Sequence, residues 1–475
     1  MANGLDKLVD DLSHGRFGIL LVSGYPNIDL VAPAEADTIA KNNPNKNIED
    51  YISIDRGSIQ LHGRGIELKN SKTVYLAEPA LMTGPDGNLE QRLFAGTKYT
   101  SPNKFTVAEP KDYITLGVKR VELGGGMSKS LQAIYDMLGK IKGYKKKLFS
   151  LTSLGKSEEE LTRGLSRLSH AVTIDSDISP RVNWVIPYAK LENGETAFND
   201  RIIAKHPSKE IFIPFDRYEG RIQEELAKDY ASTESVNTIL LNGVKSWSDI
   251  RNALDYSLKH GTHLVAVVTD STARLGEVVN HDLLHHATYI SNNDELGIFI
   301  GENTSKLDDG RYVIKLEDTL QGIRKIREHQ RKDSSYQNIY VTLGEYGSLS
   351  VDKEGNIHWI GSYSTAWSNT PDATGFGDTF AAGIALAENV DRNINTVYAQ
   401  MFASALVASK MRNPNYRVES PSSIRQLIRD NPLPTIYLGQ FDEHNHLGNL
   451  RQKRITRLDT WLRTSPLIYK KSQSI

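Results

Sequence analysis

The chain has 475 residues, 39% of them hydrophobic, a formal net charge of −1 and no cysteine. That size allows a large α/β domain with a smaller appended unit, or two to three ordinary domains. The charge balance argues against nucleic-acid and anionic-membrane partners, and the lack of cysteine excludes disulfides, thiolate nucleophiles and thiolate metal sites.

At the front, Asp6, Asp10 and Asp11 precede the apolar run Phe17–Ser23, which lacks the basic flank and length of a secretory signal. No run reaches the roughly 18 apolar residues of a membrane helix. A soluble, cytoplasmic protein is therefore expected. The run Phe17–Ser23, closed by Gly24, reads as a buried strand ending in a turn. From about Ile52 to Val107 the pattern alternates and is broken by Gly84–Gly87, predicting several half-exposed strands. Glycines 124–126 then open a helix with Leu131, Ile134, Tyr135 and Leu138 on its apolar face.

A second β-rich piece spans about Asn183 to Phe215, with Asn193-Gly194 as a hairpin turn. Beyond it strands and helices alternate: 239–243, the helix Trp247–Lys259, then 263–270, 287–291 and 339–344. This alternation predicts a doubly wound α/β fold, a mostly parallel sheet with helices on both faces. The two β-rich pieces read as one lid sheet. The expected layout is a core over 14–430, interrupted by lid segments at about 31–123 and 180–215, and a C-terminal extension over 431–475. The stretch RQKRITRLDTWLR near its end reads as an exposed helix. His281, His285 and His286 read as surface histidines, since no nearby acid completes a metal set.

The segment NTPDATGFGDTFAAGIALA, residues 369–387, carries the most chemistry. Gly375, Phe376 and Gly377 form a turn, Asp378 follows, and a helix of small residues begins near Thr379. A helix N-terminus presents unsatisfied N–H groups and partial positive charge, and glycines let a phosphate approach the backbone. A carboxylate there can take a proton from an attacking hydroxyl. Phosphoryl transfer needs both features together. An ordinary capped helix start would look the same.

TPDATGFGDTFAAG resembles the C-terminal signature of the ribokinase-like (PfkB) carbohydrate kinases, D-T-x-G-A-G-D-x-F-x-x-G, at Asp372, Thr374, Gly375, Gly377, Asp378, Phe380 and Gly383. The resemblance extends, in the family's order, to Asn27 and Asp29 (N-x-D), Gly124–Gly126 (G-G), Asn292 and Glu295 (N-x-x-E), and Thr342, Gly344 and Gly347 (T-x-G-x-x-G). It implies Asp378 as catalytic base and the backbone of Gly375, Phe376 and Gly377 as anion hole. It further implies Asn27, Asp29, Gly125 and Gly126 as substrate contacts, and Thr342, Gly344 and Gly347 near the nucleotide. Asn292 and Glu295 would hold Mg²⁺ through water, and Asp372 and Thr374 fall where a K⁺ ion would be held. The implied reaction moves the γ-phosphoryl of ATP to a hydroxyl of a sugar-like acceptor, and the resemblance allows a homodimer through the lid.

Other readings stay open at this stage. Asn292 and Glu295 also match a capping arrangement, Asn27 and Asp29 a polar turn, and 341–351 a strand with a glycine hairpin. Phe376 replaces a small residue of the family pattern. The family's sugar-contacting Asn is absent; Lys129 and Ser130 stand there, Lys129 either as an exposed first-turn lysine or as a contact to an anionic substrate. ADP-dependent sugar kinases of the same superfamily carry an H-x-E that here reads His263-Leu264-Val265, so ATP is expected as donor. A nucleoside kinase and an inactive regulatory relative are the remaining alternatives.

Overall fold

The structure is a computed structural model; it describes residues 2–31, 60–61, 80–83, 89–94, 98–101, 104–106, 113–116, 120–155, 159–176, 181–192, 195–205, 213–229, 235–244, 247–268, 283–300, 305–308, 311–331, 336–363, 375–413, 415, 417–441 and 452–464. Its centre is a ten-stranded sheet in the spatial order His170–Ser176, Leu148–Gly155, Leu20–Ser23, Thr238–Leu241, His263–Val267, Ala287–Asn292, Ile339–Thr342, Ser348–Val351, Asn356–Ile360 and Thr435–Gln440. Pairing is parallel from His170–Ser176 through Ile339–Thr342 and antiparallel in the last three strands.

Successive residues of these strands enter different cores, as a strand's two-residue period requires. Leu21, Ile239, Leu241 and Leu264 join one core, packed by the helices Phe215–Asp229, Trp247–His260 and Leu316–Arg331. Leu20, Val22, Leu240 and Val265 join the other, packed by the helices Gly126–Leu138, Phe376–Val390 and Thr396–Arg412. Both faces are thus buried, which is why these strands are apolar throughout. The expected doubly wound α/β class is the one observed.

A second, five-stranded sheet has the order Gln60–Leu61, Glu195–Lys205, Arg181–Glu192, Asn27–Val31 and Arg120–Gly124. Arg181–Glu192 and Glu195–Lys205 pair antiparallel with Glu192 opposite Glu195, while the turn expected at Asn193-Gly194 lies outside the described residues. Only residues 24–26 separate Leu20–Ser23 of the central sheet from Asn27–Val31 of the small one. The small sheet is therefore rooted where the central strand ends. Within 52–107, short strands are described at Gln60–Leu61, Ala80–Thr83, Leu89–Phe94, Lys98–Ser101 and Lys104–Thr106.

Two expectations change at the C-terminal end. Thr435–Gln440 completes the central sheet, so part of the segment read as an extension is built into the fold. The helix Gln452–Thr464, expected to be exposed, buries Ile455, Leu458 and Leu462 and sets Trp461 edge-on against Trp359 and Tyr346. Its basic residues hid a three- to four-residue apolar period. At the other end the helix Ala2–Ser13 buries Leu5, Leu8, Val9 and Leu12 against the second core. His285, read as a surface residue, is buried beside the strand Ala287–Asn292, and His286 is half-buried, while His281 lies outside the described residues. Among the described residues no cluster of three or more His, Asp or Glu side chains forms a metal set, and no helix is long and apolar enough to cross a membrane.

The helix Phe376–Val390 is buried along nearly its whole length, which its Ala and Gly residues permit. A β-carbon on Gly383 would fall 2.7 Å from Ala403 Cα, so glycine sets how closely the helix Thr396–Arg412 approaches. Near its far end Glu388, 0% exposed, is held by the central sheet. His263 Nε2 lies 2.7 Å from Glu388 Oε2, which also accepts from Thr288 Oγ1 at 2.8 Å. Glu388 Oε1 accepts from Asn338 Nδ2 at 2.8 Å and from Tyr340 Oη at 3.1 Å. Burial pushes the Glu388 carboxyl up, but the bonds and charge of His263, with Asn338 and Thr288, outweigh it and hold the group below its ordinary value. Burial first, and then the Glu388 charge, keep the Tyr340 phenol well above its ordinary value, so it remains a donor.

A carboxyl whose folded value is depressed adds stability above its unfolded value and loses it as pH falls through the folded one. Glu388→Ala should therefore cost about 3 kcal/mol or more at pH 7, since it leaves the buried donors of Thr288, Asn338 and Tyr340 without their acceptor. Denaturant unfolding of Glu388→Gln against the parent should show a gap that is full above the ordinary glutamate value of 4.5 and narrows on acidification below it. A gap independent of pH would contradict the charge assignment.

Candidate functional site

The C-terminal ends of the parallel strands bring together turns that lie far apart in sequence. Gly375 caps the helix Phe376–Val390 in the left-handed region, φ 79°, and makes no side-chain cap hydrogen bond. Its carbonyl accepts the first helical bond, from Thr379 N at 2.9 Å. The amides that open a helix have no carbonyl four residues back to bond and point out of its end. They and the helix dipole make this turn a place for negative charge.

Asp378, in the first turn, is fixed from two sides. Its Oδ1 accepts from Asn242 Nδ2 at 3.0 Å, and its backbone carbonyl accepts from Ser130 Oγ at 2.9 Å. Asn242 Nδ2 also donates to Ser130 Oγ at 2.9 Å, closing a small buried network. Asn242 follows the strand Thr238–Leu241 and is 0% exposed; its Oδ1, buried against Gly126, has no hydrogen-bond partner among the described residues. Neither Asn242 nor Ser130 stood out as a contact of Asp378 in the sequence.

The glycine turn 124–126 fills the space between Asp378 and the small sheet. A β-carbon on Gly126 would overlap Asn242 Oδ1 and fall 2.9 Å from Asp378 Oδ1. One on Gly125, φ 85°, would lie 2.6 Å from Tyr25 O and 3.0 Å from Asn27 Nδ2. One on Gly124 would overlap the Asp29 carboxylate. Asn27 and Asp29, both buried, therefore meet one side of the turn while Asp378 meets the other. The sequence-predicted residues Asn27, Asp29, Gly125, Gly126, Gly375, Phe376, Gly377 and Asp378 share one site. Gly377 leaves open space where a β-carbon would stand.

Two lysines supply positive charge. Lys410, from the helix Thr396–Arg412, is 8% exposed and sets Nζ 3.4 Å from Gly375 O and 3.3 Å from Thr379 Oγ1. Its ammonium also lies 5.8 Å from the centre of the Phe376 ring, so that ring packs toward the helix behind the turn. Lys129, left open above as an exposed lysine, is 9% exposed and bonds Glu122 Oε2 at 2.6 Å. It faces the small sheet, not solvent, which a reading of its own helix could not reveal.

The remaining predicted residues lie further along the same sheet edge. Asn292 ends the strand Ala287–Asn292 and pairs in register with Thr342. Glu295 N donates to Asn292 Oδ1 at 2.7 Å and Asn292 N to Glu295 Oε2 at 3.1 Å. This is the reciprocal capping arrangement. Gly344 begins a short 3₁₀ turn, and a β-carbon on Gly347 would overlap Ile360 O, so close packing of the hairpin accounts for that glycine. Asp372 and Thr374 lie outside the described residues. His263 opens its strand in register with Thr238, at the sheet edge opposite Asn242, and bonds Glu388.

No protein-family model matches the chain, and no curated protein matches it. Among solved structures it is similar to a ribokinase from Thermotoga maritima, at 12% identity, 87% of this chain and 100% of that one, TM-score 0.47. It is similar to the phosphofructokinase-2 of Escherichia coli in complex with fructose-6-phosphate, at 14% identity, 87% and 99% coverage, TM-score 0.48. The ribokinase of Arabidopsis thaliana complexed with ribose and ATP gives 13% identity, 87% and 99% coverage, TM-score 0.48. At these identities and TM-scores the likenesses assign no activity to this chain.

Because the space at Gly126 is closed on two sides, Gly126→Ala should destabilise the protein by about 1–3 kcal/mol, the usual cost of overpacking. Chemical denaturation of the purified variant measures this. Unchanged stability would mean the turn does not pack as tightly as described.

Proposed function

We propose that this protein is a ribokinase-like small-molecule kinase that transfers the γ-phosphoryl of ATP to a hydroxyl of a sugar-like acceptor. The observation that carries the reading is the convergence on the glycine turn 124–126: the Asp378 carboxylate at a helix N-terminus on one side, and Asn27 with Asp29 on the other. A base, a set of outward amides and a carboxylate suited to hydroxyl groups are what phosphoryl transfer to a polyol requires.

In this mechanism Asp29 and Asn27 hold acceptor hydroxyls, since a carboxylate accepts two hydrogen bonds and suits a vicinal diol. Asp378, steadied by the Asn242 amide, takes the proton of the attacking hydroxyl at its carboxylate. The amides of 376–378 take up charge on the transferring group, and the nearby Lys410 ammonium adds to the positive potential of the turn. The small sheet, rooted beside the site, would keep out water as the competing nucleophile.

Mg²⁺ fits the donor set here in one manner. The capping bonds engage Asn292 Oδ1 and Glu295 Oε2, and one carboxylate with one amide suits a hard cation that keeps most of its waters. Asn292 and Glu295 would hold it through water, where it would offset phosphate charge. Positive charge at the turn itself is already supplied by Lys410, so the reading does not depend on a K⁺ ion there.

Asp378→Asn should lower kcat by about 10²-fold or more while nucleotide binding and unfolding midpoint stay near the parent's. A coupled assay with ATP or ADP against sugars, sugar phosphates and nucleosides, run with this variant as control, measures it. Turnover by the variant at the parent's rate would sink the mechanism. Nucleotide binding without transfer to any acceptor would favour an inactive, regulatory relative of the fold.

A further inference from the structure

The turn that follows the helix Gly126–Leu138 carries charge that neither the site nor the fold uses. Residues 139–147 read GKIKGYKKK, five lysines and no acid, in a chain whose formal charge sums to −1. Successive tight turns hold this segment together. Ile141 N bonds Leu138 O at 2.8 Å, Tyr144 N bonds Ile141 O at 3.2 Å, and Lys146 N bonds Gly143 O at 3.0 Å. Two apolar side chains pin it to the body: Tyr144 is buried edge-on against Tyr135, ring centres 5.8 Å apart, and Ile141 packs at Gly15. Lys147 serves the fold, donating to Gly15 O at 2.9 Å and to Phe17 O at 3.0 Å. The other four, Lys140, Lys142, Lys145 and Lys146, are exposed. Lys145 donates to Ser166 O at 3.0 Å, which sets it beside the end of the helix Glu159–Leu168, where Arg167 is exposed too. Among the described residues Lys140, Lys142, Lys146 and Arg167 form no side-chain hydrogen bond or ion pair. Acids on the adjoining helices are engaged elsewhere: Asp10 and Asp11 hold Arg16, and Asp136 holds Gln132 and Arg417.

We infer that this lysine turn docks the protein reversibly on an anionic lipid surface, by charge alone. A chain-wide balance of charge, which spoke against such a partner, averages this patch away. The form of the patch selects among polyanions. Its lysines stand on an exposed turn, which a flat and laterally mobile sheet of headgroups meets without the ordering cost an acidic peptide would bear. With Tyr144 buried, the turn exposes no aromatic ring to stack on bases, and its 3₁₀ helix of four residues is too short to enter a duplex groove. Lysine ammonium groups are point charges on flexible stems, so they answer to charge density, not to the shape of a ligand. Placement agrees. The helix Gly126–Leu138, about 20 Å long at 1.5 Å per residue, separates the glycine turn of the site from this patch. The lysines lie where the strand Leu148–Gly155 begins, at the sheet edge away from Asp378. A docked protein therefore keeps its candidate site open to water. The docking is independent of the kinase reading.

Co-sedimentation of the full chain with vesicles tests this, using phosphatidylcholine alone and phosphatidylcholine mixed with phosphatidylserine. The protein should bind the mixed vesicles and leave the neutral ones. Salt that shortens the Debye length from about 10 to about 3 Å should release it. Each lysine near such a surface is worth about fivefold in partition, so Lys142→Gln with Lys146→Gln should weaken binding by at least about 10-fold. Both positions are exposed, and the pair should keep the parent's Tm to within about 2 °C. Lys142→Arg with Lys146→Arg should bind as the parent does, since the charge is kept. Binding to neither vesicle, equal binding to both, or full binding by the Gln pair overturns the inference. Loss of binding in the Arg pair overturns docking by charge alone. Duplex DNA that strips the protein from the mixed vesicles, when matched to them in accessible phosphate, overturns the lipid assignment and makes the turn a nucleic-acid contact.

Discussion

The site depends on a buried helix whose N-terminus must stop at the edge of a sheet. Phe376–Val390 lies between the central strands and the helix Thr396–Arg412, and its exposed chemistry is confined to its first turn. Glu388 ties the far end to His263, Thr288, Asn338 and Tyr340, contributed by three neighbouring strands and their margins. Ten residues of helix, about 15 Å at 1.5 Å per residue, separate that anchor from Asp378. Removing one member of such a buried hydrogen-bonded set leaves the others unmatched and is costly, so the set defines position well. Gly383 against Ala403 fixes the lateral position by contact of backbone with backbone.

With that helix held, the rest of the site is packing around glycine. The turn 124–126 has room for no side chain on the faces toward Asn242, Asp378, Tyr25, Asn27 and Asp29. It is the hinge of the arrangement in the literal sense of occupying the seam between the large sheet and the small one. Asn242 turns this seam toward the helix by bonding both Ser130 and Asp378 through one amide nitrogen. Its buried carbonyl oxygen, lacking a protein partner among the described residues, is the cost of that geometry, since burying an unmatched acceptor is unfavourable.

Much of the fold was legible because its signals are local. Apolar runs such as 20–23, 239–241 and 264–267 are short, continuous and separated by helical periods, which is how strands buried on both faces read. The helix start at 375–378 was legible because glycine and aspartate commonly open a helix. The partners of Asp378 were not, since Asn242 lies 136 positions away and only the sheet's parallel order brings it near. Lys410 and Glu388 were hidden for the same reason: a charged residue in a helix reads as solvated until the opposing wall is known. Lys129 stayed ambiguous because its neighbours in sequence are helical, while its partners Glu122 and Asp29 sit on strands of another sheet. Asn292 and Glu295 were legible as a cap, and the cap is what their bonds form.

In the proposed reading a phosphoryl group held at the 375–378 turn passes to a hydroxyl beside Asp29, and the proton of that hydroxyl goes to Asp378. Following the fate of a labelled γ-phosphoryl tests it most directly: the purified protein with Mg²⁺ and γ-labelled ATP, neutral sugars added one at a time, and products separated by charge. The account predicts label in a sugar monophosphate, appearing only when an acceptor is present and faster than in inorganic phosphate. Label released to water at the same rate with or without every sugar would contradict it.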